Sequence, residues 1–239
     1  MEYKNYPLLS RFIWQIRFVK FVLSMISVLF DLRKMAGTSQ VVRLSQWVSS
    51  NFSSPAPNIV KWEVLRRWGG ENTWVETGTF LGETTSNLAK FAEIVYSLEP
   101  EKSLFLSAVK CFEKNSNVVL VGGSSEEKLF PVLDALTTEE IKDISFWLDG
   151  HYSAGVTFQG NEDTPIVFEL SVIEQFLLSI AKVTIFVDDV RLFAKSSDLE
   201  SHYPSLSYLV TFADAHELYW TIEHDIFIMT NRPVNLTTN

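Results

Sequence analysis

From Phe12 to Phe30 apolar residues dominate, and the polar positions that interrupt them keep a helical period. Arg17, Lys20, Ser24 and Ser27, continued by Asp31 and Lys34, fall at steps of three and four, which draws a narrow polar stripe along a mostly apolar helix. The uncharged run from Phe21 to Phe30 reaches only about half of the roughly 20 apolar residues that a bilayer span requires. No small-residue cleavage site follows it, which argues against a secretory signal. The pattern predicts a helix that lies on its own domain, on a second copy of the chain, or on a membrane surface. The Ser/Pro-rich stretch SSNFSSPAP (49 to 57) closes this region. It separates an N-terminal helical extension, 1–55, from a main domain, 56–239.

Beyond that break the pattern turns regular. Short β-rich runs, TWVET (73 to 77), IVYSLEP (94 to 100), NVVLVGG (117 to 123), ISFWLDG (144 to 150) and VTIFVDDV (183 to 190), alternate with stretches that can be helical. Such alternation predicts a doubly wound α/β domain, a mostly parallel sheet with helices on both faces. The tail LYWTIEHDIFIMT breaks the rhythm. It offers two strands, about 218 to 222 and 226 to 230, with too little chain between them for a crossover, so they should form an antiparallel hairpin at the sheet edge.

With 239 residues, 46% of them hydrophobic, one sizeable core is expected. The formal charge of −9 argues against a broad nucleic-acid surface. That charge is unevenly spread: Lys4, Arg11, Arg17, Lys20, Arg33 and Lys34 face only Glu2 and Asp31 in the first 36 residues. The lone cysteine, Cys111, excludes a disulfide framework and a multi-Cys zinc site, suits a reducing cytoplasm, and reads as a small packed residue.

Candidate chemistry gathers where the strands end. The first strand runs into ETGTFLGETTSNLAKF, where Glu76, Gly78, Thr79, Gly82, Thr84 and Thr85 surround a turn into a helix beginning near Glu83 to Ser86. Glycines there let the backbone approach a ligand. The second strand ends on Glu99, 23 residues after Glu76, where a carboxylate can accept both hydroxyls of a ribose. At the third, Gly122, Gly123 and Ser124 leave room for a flat ring. Together the three ends describe an adenosine pocket. Asp149 ends the fourth strand, and Asp188 with Asp189 end the fifth. Three converging carboxylates repel unless a cation or proton intervenes, and oxygen-only ligands favour Mg²⁺ over zinc.

Over roughly residues 58 to 232 these features resemble the class I S-adenosylmethionine-dependent methyltransferases, whose Rossmann-like sheet is closed by an antiparallel hairpin. The resemblance implies that S-adenosyl-L-methionine lies with its methionine part along Glu76, Gly78 and Gly82, its ribose on Glu99, and its adenine beside Gly123 and Ser124. Phe80 stands where the commoner ExGxGxG of the family has its middle glycine. LDGHYSAGVT and FVDDV resemble the metal-dependent sugar O-methyltransferases of the macrocin type, which implies Mg²⁺ on Asp149, Asp188 and Asp189. His151, whose ordinary pKa lies near neutrality, is the leading general base, with Asp149 as the alternative. In the polar loop SAGVTFQGNEDTP, Tyr152, Gln159, Asn161 and Asp163 can hydrogen-bond a polyol and Phe158 can cover it. The expected reaction is methylation of a sugar or polyol hydroxyl. Set against it are a nicotinamide-dependent dehydrogenase, disfavoured by the missing GxGxxG, and a non-catalytic scaffold that keeps the fold and attaches to a membrane or partner through its N-terminal helix. His202, Tyr203 and His216 are weaker candidates, and His224 reads as structural.

Overall fold

A computed structural model describes residues 38–149, 164–195 and 203–233. The apolar helix expected between Phe12 and Phe30 lies outside them. The chain divides into two compact units, 1–53 and 54–239. In the first, α1 (Thr38–Ser49) buries Leu44 and Trp47, and the Trp47 ring meets Phe52 edge-on at 5.0 Å. No helix among the described residues is long and apolar enough to cross a membrane.

The second unit is built on one seven-stranded sheet in the order β3-β2-β1-β4-β5-β7-β6. Its strands are β1 (Thr73–Thr77), β2 (Ile94–Glu99), β3 (Val118–Gly122), β4 (Asp143–Leu148), β5 (Lys182–Val187), β6 (Tyr219–Glu223) and β7 (Ile226–Thr230). The first five are parallel, and β7 runs antiparallel between β5 and β6. Each strand predicted from the pattern is present, with ends that agree to within three residues. The sequence placed the tail hairpin at the edge, and β6 is indeed the edge strand.

Because side chains alternate across a strand, the sheet feeds two cores. Val75, Phe146, Ile185 and Phe227 face one, together with α5 (Ser125–Thr138), α6 (Ile166–Phe176) and α7 (Leu206–Ala215). Leu129, Leu133 and Leu136 of α5, and Ile166, Leu170 and Ile173 of α6, sit three or four residues apart and are buried. Trp74, Val95, Trp147, Phe186 and Ile228 face the other core, against Val64 and Leu65 of α2 (Asn58–Trp68) and Leu88 of α3 (Glu83–Leu88). There the Trp74 ring stacks on Phe186 at 5.6 Å. Fully burying one such large side chain stabilises the fold by about 1.5–3 kcal/mol.

Cys111 is exposed, not packed. It ends α4 (Lys102–Cys111), where Leu104 and Ala108 form the buried stripe; Phe112 fills the next turn of that stripe and leaves Cys111 outward.

The strand order reverses between β1 and β4. Connections from β1 lead outward through β2 to β3, and the chain then crosses to β4 and β5 on the other side. Open α/β sheets bind ligands outside the carboxyl ends of the strands at such a switch point.

Candidate functional site

The turn after β1 is held by its own backbone. The N–H groups of Gly78 and Thr79 both donate to the Leu98 carbonyl at 3.0 Å, and Gly82 N–H donates to Thr79 O at 2.8 Å. Gly82 caps α3 at φ +78°, and a Cβ there would lie 2.8 Å from the Phe112 ring. Gly82→Ala is therefore expected to cost about 1–2 kcal/mol of stability from backbone strain alone, read as a lowered urea midpoint. Phe80 takes the same left-handed region at φ +48° without glycine's freedom, and 45% of it is exposed.

Around the turn, the candidate hydroxyls are engaged with the framework. Thr85 donates to Glu76 Oε2 at 2.5 Å, Thr79 pairs with Ser97 at 2.6 Å, and Thr84 accepts from the Trp62 indole at 3.3 Å. Ser97 adds a second bond to Glu76 Oε2 at 2.6 Å. Glu76 itself is fully buried, and Oε1 has no partner among the described residues. Burial first, then the charges of Asp149 and Glu99, push its carboxyl up to about 8 against the two hydroxyl bonds. Glu169, 1% exposed on α6, is pushed to about 7 mainly by burial.

These two shifts set a pH dependence. Unfolded carboxyls lose their protons near pH 4.5, whereas the folded Glu76 keeps its proton to about 8. Between those values the native state holds a proton that the unfolded chain has lost, so raising the pH favours unfolding. Stability should fall by as much as about 1.4 kcal/mol per pH unit for each such group, from pH 5 to about 7 for Glu169 and to about 8 for Glu76. Glu76→Gln should flatten this slope by the share of one proton. Urea midpoints measured across the window would contradict the assignment if wild type and variant ran parallel.

Glu99 ends β2 at the mouth of the turn. Its Oε2 accepts from Phe80 N–H at 2.7 Å and its Oε1 from Glu101 N–H at 2.9 Å, while burial raises the carboxyl above its ordinary range. A carboxylate offers about four lone pairs, so two acceptor directions are left for a diol. At the end of β3, Gly123 N–H donates to the Glu99 carbonyl at 3.0 Å. Gly123 adopts φ +136°, and Ser124 precedes α5 without a side-chain capping bond.

The carboxylates beyond β4 and β5 are differently arranged from the expected metal centre. Lys61, projecting from α2, donates to Asp188 Oδ1 at 2.7 Å and Oδ2 at 2.5 Å, and reaches Asp189 Oδ1 at 3.4 Å. Arg191, from a short 3₁₀ segment (Val190–Lys195), donates to the same Asp189 oxygen at 2.5 Å and is paired with Asp225 from the β6–β7 turn. Asp149 lies within electrostatic reach of Lys61. Among the described residues no three His, Cys, Asp or Glu side chains are placed to hold a metal. The Mg²⁺ expectation for Asp149, Asp188 and Asp189 therefore does not fit: the Lys61 ammonium takes both Asp188 oxygens, and it shares Asp189 Oδ1 with the Arg191 guanidinium. Burial alone would lower the Lys61 pKa, but the charges of Asp188 and Asp189 outweigh it and hold Lys61 above its usual value.

Sequence reasoning overlooked Lys61. Its signal was present in NIVKWEVLRRW, where Lys61 shares the buried stripe of Val64 and Leu65. On neighbouring positions of α2, Asn58 donates to Glu83 at 2.9 Å and Trp62 reaches Thr84, so one helix face holds the start of α3 and the end of β5. His151, Tyr152, Phe158, Gln159, Asn161, Asp163 and His202 lie outside the described residues. Tyr203 packs edge-on against Phe193 at 5.3 Å. His216 pairs with Glu174 at 3.2 Å, and His224 adopts φ +48° in the hairpin turn.

No family model and no curated protein matches the sequence. Among solved structures, the chain is similar to an O-methyltransferase from Bacillus cereus in complex with SAH, at 16% identity and a TM-score of 0.47 over 85% of this chain and 96% of that one. It is also similar to TomG from Streptomyces achromogenes, an O-methyltransferase involved in tomaymycin synthesis, in complex with SAM, at 15% identity and a TM-score of 0.48 over 85% and 95%. A third likeness is to Aeropyrum pernix fibrillarin bound to S-adenosyl-L-methionine, at 8% identity and a TM-score of 0.42; it covers 68% of this chain and 66% of that one. None of the three carries a residue assignment over to this protein.

Proposed function

We propose that the protein is an S-adenosyl-L-methionine-dependent O-methyltransferase acting on a hydroxyl of a sugar or polyol. The observation that carries this is the alignment of the β1 turn, Glu99, and Gly123 with Ser124 along one sheet edge at the point where strand order reverses. Glu99 would take the two ribose hydroxyls, the glycine-bearing β1 turn would pass the methionine part, and Gly123 with Ser124 would border the adenine. Glu76 and the threonines would act from beneath, fixing the turn through the bonds described above.

S-adenosyl-L-methionine would supply the methyl group: a C–O bond to the acceptor would form as the C–S bond breaks, leaving a methyl ether, S-adenosylhomocysteine and one proton. Asp149 or His151 would take that proton. No metal enters this scheme. The sugar or polyol class rests on the polar residues 152–163 and the family resemblance. A cytoplasmic site, membrane-surface contact through the N-terminal helix and self-association belong to the same proposal.

Calorimetric titration with S-adenosylhomocysteine, with NAD as control and EDTA present, tests it. Binding of S-adenosylhomocysteine alone supports the methyltransferase reading and justifies a screen of sugar acceptors. Absence of binding to either compound defeats the joint pocket.

A further inference from the structure

We propose that Lys61 is a built-in cation at the carboxylate edge of the site, standing where a divalent metal would otherwise be required, so that the site works without one. This rests on the methyltransferase reading for its purpose, but not for its geometry. Lys61 is only 8% exposed, and a lysine is almost never that buried unless it is paired. Its ammonium has three hydrogens and three oxygen partners, both oxygens of Asp188 and one of Asp189. It is thus saturated, with no donor left for a substrate, and acts as a positioning residue.

The same pairing disables the edge as a metal site. Mg²⁺ demands near-octahedral oxygens at close range, and both Asp188 oxygens are already committed to Lys61. Arg191 adds a second positive charge on Asp189, so an arriving dication would meet two fixed cations. The helix that carries Lys61 is itself anchored, with Val64 and Leu65 buried in the core beside Trp74 and Phe186. The positive charge at the carboxylate edge comes from a side chain encoded in the sequence, not from an exchangeable ion.

The test is a Mn²⁺ titration of the whole protein, followed by electron paramagnetic resonance of the free ion, for wild type, Lys61→Ala and Lys61→Met. Thermal unfolding is recorded in EDTA and in millimolar MgCl₂. Wild type should bind no stoichiometric Mn²⁺, and its unfolding temperature should be the same in both buffers. Lys61→Ala, with the carboxylates uncovered, should bind Mn²⁺ on the order of tenfold or more tighter than wild type and unfold at a higher temperature in MgCl₂ than in EDTA. Lys61→Met, which keeps most of the stem, should gain the same response and serves if the alanine variant does not fold. Stoichiometric Mn²⁺ uptake by wild type that Asp188→Asn abolishes would overturn the proposal. So would folded Lys61 variants that gain no divalent response. S-adenosylhomocysteine binding, measured on the same wild-type sample, fails separately if the methyltransferase reading is wrong.

Discussion

Glu99→Ala is expected to weaken S-adenosylhomocysteine binding by about a hundredfold or more, with the fold retained. Hydrogen bonds to a charged group contribute about 1.5–3 kcal/mol each, and a ribose diol would make two to this carboxylate. Its existing bonds add an indirect loss. Phe80 N–H and Glu101 N–H both donate to it, at 2.7 and 2.9 Å, so the β1 turn loses one of its ties when the carboxyl is removed. Glu99→Gln keeps one acceptor oxygen and should fall between wild type and alanine. Calorimetry decides the matter, with circular dichroism confirming the fold. Unchanged affinity in Glu99→Ala would remove the ribose assignment.

The second large effect concerns stability. Removing one partner of a buried ion pair leaves the other charge uncompensated, at a cost of about 3–5 kcal/mol. Lys61→Ala should therefore lower stability by that amount in metal-free buffer, because Asp188 and Asp189 remain side by side with Asp149 nearby. Asp188 is already pushed up to about 7, by burial first and by Asp149 second, with Lys61 pulling the other way. Once the lysine is gone, its protonation should become the cheaper escape, and the variant should recover stability toward acid. Asp188→Asn placed on top of Lys61→Ala should restore part of the loss, with a coupling of about 0.5–3 kcal/mol in urea unfolding. Strictly additive losses would mean that the two side chains do not sense each other.

The sheet was legible because its signals are local. Each of TWVET, IVYSLE, VLVGG, FWLD and IFVDD is a mostly apolar or β-favouring run that gives way to a polar or small residue at or just past the end of a strand. The hairpin was legible from the brevity of Glu223 to Asp225. The Asp pair after β5 could also be read, as could the need for a positive charge beside it. The identity of that charge could not. Lys61 and Asp188 are 127 positions apart and meet only because α2 packs across β1, β4 and β5. A lysine within an apolar stripe is the one local clue, and by itself it does not say which carboxylate it meets. Phe80 shows a similar gap: glycine spacing located the turn, but the left-handed backbone at a non-glycine position goes with a bond from its N–H to the Glu99 carboxylate, 19 residues away.

The bond between Arg191 and Asp225 reaches beyond the site itself. The segment carrying Asp188 and Asp189 is tied at its far end to the turn between β6 and β7: Arg191 N–H donates to Asp225 Oδ1 at 2.9 Å and Val190 N–H to the Asp225 carbonyl at 3.0 Å. A chain emerging from the ribosome completes β5 well before that turn exists. Until the turn arrives, the acidic pair has its lysine but not its tether. During synthesis the turns after β1 to β3 can therefore take shape early, while the acidic edge after β5 waits for the last hairpin.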